Sequence, residues 1–145
     1  YCFMFKKIVL SSDHGGFNLK ETVKDFLIKR NFEVEDIGCN SLDAVDYPDY
    51  AKFLSDKLKT NKNATGILFC GTGIGISMAA NRFKHIRAAL CTSVEMASKS
   101  RKHNDANVLA LGGRILSEKI ALEIVEECWK ADCEGGRHSL RVNKI

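Results

Sequence analysis

Proline is almost absent from the sequence, with one residue in 145, and no low-complexity tract occurs. Cysteine is present six times, but no two cysteines have the C-x-x-C spacing. The chain begins with an apolar stretch that charged residues interrupt too early for a secretory signal. These absences argue against a disulfide framework in a secreted protein, and they predict reduced thiols in the cytoplasm.

The sequence also lacks a strong charge of either sign. Its formal net charge is +4, and no dense stripe of lysine and arginine indicates a nucleic-acid partner. The four histidines are scattered and are not accompanied by paired cysteines, so no metal site is predicted. Residues 63–81 carry no charge, but their four glycines and several hydroxyl groups favour a strand, loop and helix over a membrane span.

What the sequence does contain is a regular alternation of short apolar runs and helical periodicities. Strands are predicted near residues 6–12, 32–38, 65–70, 85–91 and 107–112. Helices are predicted at about residues 17–30, after Pro48, and at about 75–83, 93–102 and 117–129. Five β-α units predict an α/β fold, a three-layer α/β/α sandwich around a Rossmann-like five-stranded parallel sheet. We expect one domain over residues 4–145 and a leader of residues 1–3, because Met4 is a more natural start.

The most unusual stretch is CGTGIG, in which Gly71, Gly73 and Gly75 follow a predicted strand and open a predicted helix. Ligands of such sheets bind beyond the carboxyl ends of the strands. Successive backbone N–H groups can converge there on an anion, with the helix dipole behind them. A tight turn explains one or two glycines, whereas three at alternate positions favour an anion-binding loop. The residues that dinucleotide-binding, P-loop and cysteine-phosphatase motifs require are missing.

Cys70 ends the strand before this loop and allows two interpretations. A lone cysteine at a strand end is usually a small buried hydrophobic residue. At the mouth of a helix N-terminus, however, a thiol is favoured as the thiolate, which could act as a base or nucleophile near neutral pH. Cys91 also lies at a predicted strand end, and we assign it to the core.

Other polar residues leave both structural and functional interpretations open. Asp13 could cap the following helix, or it could bind hydroxyl or phosphate groups together with His14. His103, at the end of a predicted helix, is either a solvated residue or a general acid whose protonated form the helix C-terminus favours. Arg137 and Arg141 would share one helical face and could hold a phosphate dianion, although a polar tail is often only solvated.

Six stretches, in order, resemble the bacterial ribose-5-phosphate isomerase B / galactose-6-phosphate isomerase family. They are SDHGGFNLK, DYPDYA, CGTGIGISMAANR, IRAALC, SRKHNDANVLALGGR and EGGRHSLRV, and they extend over nearly the whole chain. One branch of this family has serine in place of the cysteine and uses a later glutamate as its base. In this sequence, isoleucine or serine occupies the position of that glutamate. The resemblance therefore implies an enzyme with Cys70 as its base.

The resemblance implies interconversion of D-ribose 5-phosphate and D-ribulose 5-phosphate through a cis-enediolate, without metal or cofactor. His103, helped by Asp13 or a neighbour, would open the furanose ring, and Cys70 would move a proton between C2 and C1. Thr72 would assist proton transfer between the substrate oxygens. The resemblance implies three groups of substrate contacts. The sugar hydroxyls would be bound by Asp13, Tyr47 and Asn104, and the phosphate by His14, Arg114, Arg137 and Arg141. The negative charge that develops on the substrate would be stabilised by the backbone of Gly71, Gly73, Ile74 and Gly75.

By the same resemblance the protein is a homodimer or homotetramer with active sites shared between subunits, which would bring the distant tail to Cys70 of a neighbouring chain. The implied partner is a phosphorylated pentose, with no nucleic acid and no membrane. The alternatives are an isomerase of allose 6-phosphate or galactose 6-phosphate, and a sugar-phosphate-binding module without turnover. Cys70, Thr72 and His103 together argue against the binding module, because binding alone needs no base.

Overall fold

One sheet of five parallel strands, in the order β2-β1-β3-β5-β4, organises the chain. The computed structural model describes residues 7–145, apart from the side chain of Trp129; the expected leader, residues 1–3, lies outside the described residues. The strands are β1 (Lys7–Ser12), β2 (Glu33–Asp36), β3 (Ala64–Cys70), β4 (Ala88–Leu90) and β5 (Val108–Gly112). The helices are α1 (Phe17–Lys29), α2 (Tyr47–Thr60), α3 (Ile74–Ala80), α4 (Val94–Lys102), α5 (Glu118–Lys130) and α6 (Arg137–Val142).

The sheet separates two hydrophobic cores, because successive side chains of a strand point to opposite faces. Ile8 and Phe69 face one core together with side chains of α1, α4 and α5. Val9, Leu68 and Cys70 face the other core together with side chains of α2 and α3. This arrangement confirms the predicted three-layer α/β/α sandwich, and β2 lies at an edge of the sheet as its alternating pattern predicts.

Several predicted boundaries differ from the observed ones for local reasons. Helix α2 begins one residue before Pro48, whose missing N–H costs nothing in a first helical turn. Strand β4 has only three residues because it is an edge strand that pairs with β5 alone. The polar tail contains α6, which was not predicted, and none of the helices in residues 7–145 has the length and apolar content needed to cross a bilayer.

A buried ion pair connects helix α1 to the edge strand β2. The side chain of Lys20 is fully buried, and its Nζ atom lies 2.6 Å from Oδ2 of Asp36. Lys24 contributes a second contact to the same oxygen, at 3.1 Å. Burial by itself would raise the pKa of Asp36, but hydrogen bonds from Lys20, from the backbone N–H of Gly38 and from Lys24 hold it below its ordinary value.

Replacing Asp36 with asparagine should lower the free energy of unfolding by about 3 kcal/mol at neutral pH, because the buried ammonium of Lys20 loses its closest carboxylate. The pKa of Asp36 is lower in the folded chain than in the unfolded chain. Its contribution is therefore present above the unfolded value and is lost as the pH falls through the folded one. The free energy of unfolding, measured with urea at a series of pH values, should thus decrease less steeply below about pH 4 in Asp36→Asn than in the wild type.

The matched control for this prediction is Asp56→Asn, which breaks an exposed ion pair with Lys52. That change should alter the free energy of unfolding by less than about 0.5 kcal/mol, because water screens the pair. Equal losses in the two variants would show that the Lys20–Asp36 pair does not have the structural role assigned to it.

Candidate active site

The loops after β1, β3 and β5 meet at the carboxyl edge of the sheet. The backbone N–H of Gly113 donates to the carbonyl of Cys70 at 2.8 Å, and that of Arg114 donates to the carbonyl of Gly71 at 2.9 Å. A Cβ atom on Gly15 would lie 3.0 Å from the backbone nitrogen of Gly71. Glycine is needed at such positions because the loops approach backbone to backbone. We call the site residues gathered here the carboxyl-edge cluster: Asp13, His14, Tyr47, Cys70, Thr72, Arg114 and the glycine loop 71–75.

Cys70 is both a member of the core and a neighbour of the loop amides. It is 5% exposed, and its Sγ atom accepts a hydrogen bond from the backbone N–H of Gly73 at 3.1 Å. Gly73 adopts a φ of 79°, which favours glycine, and this conformation turns its N–H toward the sulfur. The N–H of Ile74 donates to Oγ1 of Thr72 at 3.2 Å. Two N–H groups of the predicted anion-binding loop thus donate to side chains of the protein, one in the loop and one at the end of β3.

Asp13 and His14 hold defined positions at the end of β1. The Oδ1 atom of Asp13 accepts the N–H of Gly16 at 3.1 Å, so one carboxylate oxygen caps the short 3-10 turn that precedes α1. The N–H of Asp13 donates to the carbonyl of Phe69 at 3.1 Å, which places Asp13 beside the end of β3. The Nδ1 atom of His14 accepts the N–H of Val45 at 3.2 Å, so a neutral ring carries its proton on Nε2.

Tyr47 and Arg114 lie against the glycine loop from two sides. A Cβ atom on Gly75 would come within 2.7 Å of Cζ of Tyr47 and 3.1 Å of its hydroxyl oxygen. A Cβ atom on Gly71 would come within 3.3 Å of Nη1 of Arg114. The cluster therefore combines one guanidinium, one phenol, one thiol and a loop of backbone amides. Such a set can bind an anionic, hydroxylated molecule and can offer it a base.

His103 and Asn104 do not belong to this cluster within one chain. They follow α4, which runs antiparallel to the strands and ends near their amino ends. The loop after α4 contacts β3 at Gly66, whose N–H donates to the carbonyl of Asn107 at 3.1 Å. Strand β3 runs four more residues to Cys70, a distance of about 13 Å. His103 and Cys70 of one chain therefore lie toward opposite edges of the sheet.

The tail lies beside His103 at this same amino edge. The rings of His103 and His138 stack in parallel, with centroids 4.1 Å apart and an interplanar angle of 7°. Burial, and then the proximity of His103 and Arg137, lower the pKa of His138 below its ordinary value, against the opposing effect of Glu134. We call the residues that meet here the amino-edge cluster: His103, Asn104, Glu134, Arg137, His138 and Arg141.

The predicted site residues thus form two groups at opposite edges of the sheet. Sequence reasoning did not assign roles to Glu134 and His138, although both occur in the stretch EGGRHSLRV. Their spacing of four residues is a signal for a shared helical face, and the two side chains do meet, with Oε1 of Glu134 3.5 Å from Nε2 of His138. No local pattern connects either residue to His103, because that contact depends on how the tail folds back over α4.

Comparison with known proteins gives consistent matches over nearly the whole chain. The family model described as Ribose/Galactose Isomerase matches residues 8–145, which include both clusters. Ribose-5-phosphate isomerase B of Escherichia coli is 45% identical over 140 residues, or 97% of this chain and 94% of that protein.

Two solved structures extend the comparison to three dimensions. Ribose-5-phosphate isomerase B of Clostridium thermocellum superimposes with a TM-score of 0.94 at 51% identity, over 96% of this chain and 94% of that one. The corresponding protein of Mycoplasma genitalium, solved with bound ribulose 5-phosphate, superimposes with a TM-score of 0.92 at 44% identity. That match covers 96% of this chain and 93% of the other.

Proposed function

Because the chain belongs to the Ribose/Galactose Isomerase family, we propose that it interconverts D-ribose 5-phosphate and D-ribulose 5-phosphate. The observation that carries this proposal is the relative from Mycoplasma genitalium, which is 44% identical, has nearly the same fold and was solved with ribulose 5-phosphate bound. The carboxyl-edge cluster supports it, since a guanidinium, loop amides and a thiol are the groups that a sugar phosphate and its isomerisation require.

Ring opening is the first step, because ribose 5-phosphate is mostly closed as a furanose. His103 of the partner subunit donates a proton to the ring oxygen, and Asp13 or a neighbouring group takes up the proton of the C1 hydroxyl. The bond between C1 and the ring oxygen breaks, and an aldehyde forms at C1. The position of Asp13 beside the end of β3 supports this role, because it lies next to the residue that precedes Cys70.

Cys70 is the base of the isomerisation. Its thiolate removes the proton from C2, the electron pair of that bond forms the C1–C2 double bond of a cis-enediolate, and negative charge passes to O1. Thr72 assists the transfer of a proton from O2 to O1, and Cys70 then returns its proton to C1, which leaves the carbonyl at C2. The N–H of Gly73 supports this role, because a hydrogen bond donated to sulfur stabilises negative charge on it.

The glycine loop stabilises the enediolate oxygens. The N–H groups of Gly71 and Gly75 donate hydrogen bonds to these oxygens. The N–H groups of Gly73 and Ile74 now donate to Cys70 and Thr72, and they donate to the enediolate either instead of these acceptors or in addition to them. One preorganised donor of this type is worth about 3 kcal/mol in the transition state. Tyr47 and Asp13, with Asn104 of the partner subunit, bind sugar hydroxyls.

Phosphate is bound by His14 and Arg114 of one subunit together with Arg137 and Arg141 of the partner subunit. A hydrogen bond of His14 supports this assignment, because its Nδ1 atom accepts the N–H of Val45 and its Nε2 atom is left as a donor. Guanidinium groups suit a phosphate dianion because they donate two parallel hydrogen bonds.

The separation of the two clusters supports a homodimer or homotetramer with shared active sites. Each chain supplies one base, Cys70, at its carboxyl edge and one acid, His103, at its amino edge. Within one chain these two groups are too far apart to act on the same substrate molecule. Apolar side chains near both edges are exposed in the single chain, with 46% exposure at Ile74, 66% at Met78 and 68% at Leu140. Burial of such side chains against a second copy would stabilise the assembly that the chemistry requires.

The cysteines support a cytoplasmic location. All five cysteines in residues 7–145 are free thiols. A base that must be a thiolate is compatible with a reducing compartment and would be at risk in an oxidising one.

The test is turnover by the purified protein alone, in the presence of EDTA, with ribulose 5-phosphate detected as the product of ribose 5-phosphate. We expect kcat/KM for ribose 5-phosphate to exceed that for allose 6-phosphate or galactose 6-phosphate by at least about tenfold, because a pocket shaped for a pentose discriminates against an additional carbon. A reversed preference would identify a hexose-phosphate isomerase. Binding of ribulose 5-phosphate without turnover of any of the three would identify a binding module.

A further inference from the structure

Two arginines bind Asp105, in the loop that follows α4 and carries His103 and Asn104. Nη1 of Arg101 lies 3.1 Å from Oδ1 of Asp105, and Nη2 of Arg87 lies 3.3 Å from Oδ2 of the same carboxylate. Nε of Arg87 also donates to the backbone carbonyl of Asp105 at 2.8 Å. Guanidinium groups therefore contact both carboxylate oxygens and the carbonyl of one residue. We call Arg87, Arg101 and Asp105 the Asp105 cluster.

Asp105 has a backbone conformation that needs such support. Its φ is 47°, in the left-handed region, and within residues 7–145 the only other residue besides glycine with a positive φ is Asn31. This region is unfavourable for any residue with a Cβ atom, although Asn and Asp enter it more readily than most. The chain turns here from α4 toward β5, and the N–H of Ala106 donates back to the carbonyl of Ser100 at 2.9 Å. The Asp105 cluster therefore stabilises a turn of the backbone.

The two arginines are held in different parts of the fold. The side chain of Arg101 is 2% exposed, its Nη1 atom also donates to the carbonyl of Ala106, and its Nη2 atom lies 3.6 Å from Oδ1 of Asp132 in the tail. Arg87 directly precedes β4, and its backbone N–H donates to Oδ1 of Asn107 at 2.7 Å. A guanidinium directs its donors in one plane, so each contact restricts the position of the loop. The loop is thus fixed relative to α4, to the edge of the sheet and to the tail.

We propose that Asp105 is a positioning residue of the isomerase, which holds His103 and Asn104 in the orientation that they need at a substrate bound by another chain. This role rests on the proposed function, in which these two residues give a proton to the ring oxygen and bind a sugar hydroxyl. Asn104 is exposed and His103 is partly exposed, so the packing of a core does not fix either side chain. A displacement of about 1 Å can lower a rate about a hundredfold, so the loop that carries an acid has to be fixed by contacts of its own.

Turnover by Asp105→Gly is the first measurement, because glycine accepts the left-handed conformation but has no carboxylate. The kcat for ribose 5-phosphate should fall at least about tenfold. Asp105→Asn, which also tolerates this conformation and keeps one acceptor oxygen, should lose less. Asn31→Gly is the matched control, since Asn31 is exposed, has a φ of 65° and follows α1, and it should keep kcat near the wild-type value. A wild-type kcat in Asp105→Gly would overturn the positioning role.

Refolding of mixed chains separates positioning of His103 from general damage to the fold. Asp105→Gly unfolded and refolded with an equal amount of Cys70→Ala should recover about a quarter of the wild-type activity, because half of the dimers are mixed and one of their two sites combines an intact Cys70 with an intact His103 loop. With His103→Asn it should recover nothing, because both chains then have an impaired acid. Recovery with both partners, or with neither, would overturn the proposal. The mixture of Cys70→Ala with His103→Asn is the reference that shows whether sites are shared at all.

Hydrogen exchange measures the effect of Asp105 on the loop without any turnover. In the protein without substrate, the amides of residues 103–107 should exchange at least about tenfold faster in Asp105→Gly than in the wild type, because the turn that places the N–H of Ala106 on Ser100 is less restrained. Asn31→Gly should leave these amides unchanged. Unchanged exchange in Asp105→Gly would overturn the proposal. A wild type without turnover would contradict the proposed function, and the positioning role with it, whereas faster exchange would still show that Asp105 holds the loop.

Discussion

Cys70→Ala is expected to lose at least about a thousandfold in kcat for the interconversion of ribose 5-phosphate and ribulose 5-phosphate, while it retains its Kd for ribulose 5-phosphate within a few-fold. The reason is that alanine cannot remove the C2 proton, whereas the proposed ligand-binding groups, which are the loop amides, Arg114 and His14, stay in place. Turnover is measured by product formation and binding by calorimetry. The small side chain lost from a buried strand end should lower the stability only modestly.

Cys91→Ala is the matched control for this prediction. Cys91 also follows a strand at the carboxyl edge and is 1% exposed, so its removal creates a similar small cavity. Burial raises the pKa of the Cys91 thiol to about 11, which leaves it uncharged at neutral pH and unsuited to the role of base. We expect Cys91→Ala to keep kcat near the wild-type value. If Cys70→Ala kept it as well, Cys70 would be a core residue only and the base would lie elsewhere.

The second large effect is expected when two inactive variants are mixed. Cys70→Ala and His103→Asn should each be impaired, the latter by about a hundredfold because ring opening loses its acid. In a heterodimer with shared sites, one site carries both substitutions and the other carries neither. After unfolding and refolding of an equimolar mixture, about a quarter of the wild-type activity should therefore return, because half of the dimers are mixed and each has one intact site.

The outcome expected for active sites within single chains is different. Every site in the mixture would then carry one substitution, and no activity would return. A double variant, Cys70→Ala with His103→Asn, provides the reciprocal control. Refolded with wild-type chains, it should silence both sites of each heterodimer if the sites are shared, whereas wild-type chains would keep their full activity if each site lay within one chain. The oligomeric state of each mixture is checked by size-exclusion chromatography with light scattering.

The five-stranded parallel sheet and the glycine loop could be predicted from the sequence alone. Strand β3 is an uninterrupted apolar run that ends at Cys70, and the alternate glycines after it predict a loop of converging amides. Such features are local: the hydrophobic period sets the strand and helix, and parallel strands joined by helices place their carboxyl ends at one edge. Asp13, His14, Tyr47 and Arg114 all lie at that edge, as their positions beside predicted strand and helix ends indicate.

The positions of His103 and of the tail could not be predicted from the sequence and are known from the folded structure. The sequence placed His103 correctly at a helix end, but the same right-handed crossover that brings strand ends together sends helix ends to the opposite edge of the sheet. Helix α6 has only six residues, too few to be stable by themselves, so its formation depends on contacts such as the stacking of His138 on His103. Contacts between distant residues leave no period in a sequence. For this reason the division of the predicted site into two clusters emerges only from the folded chain.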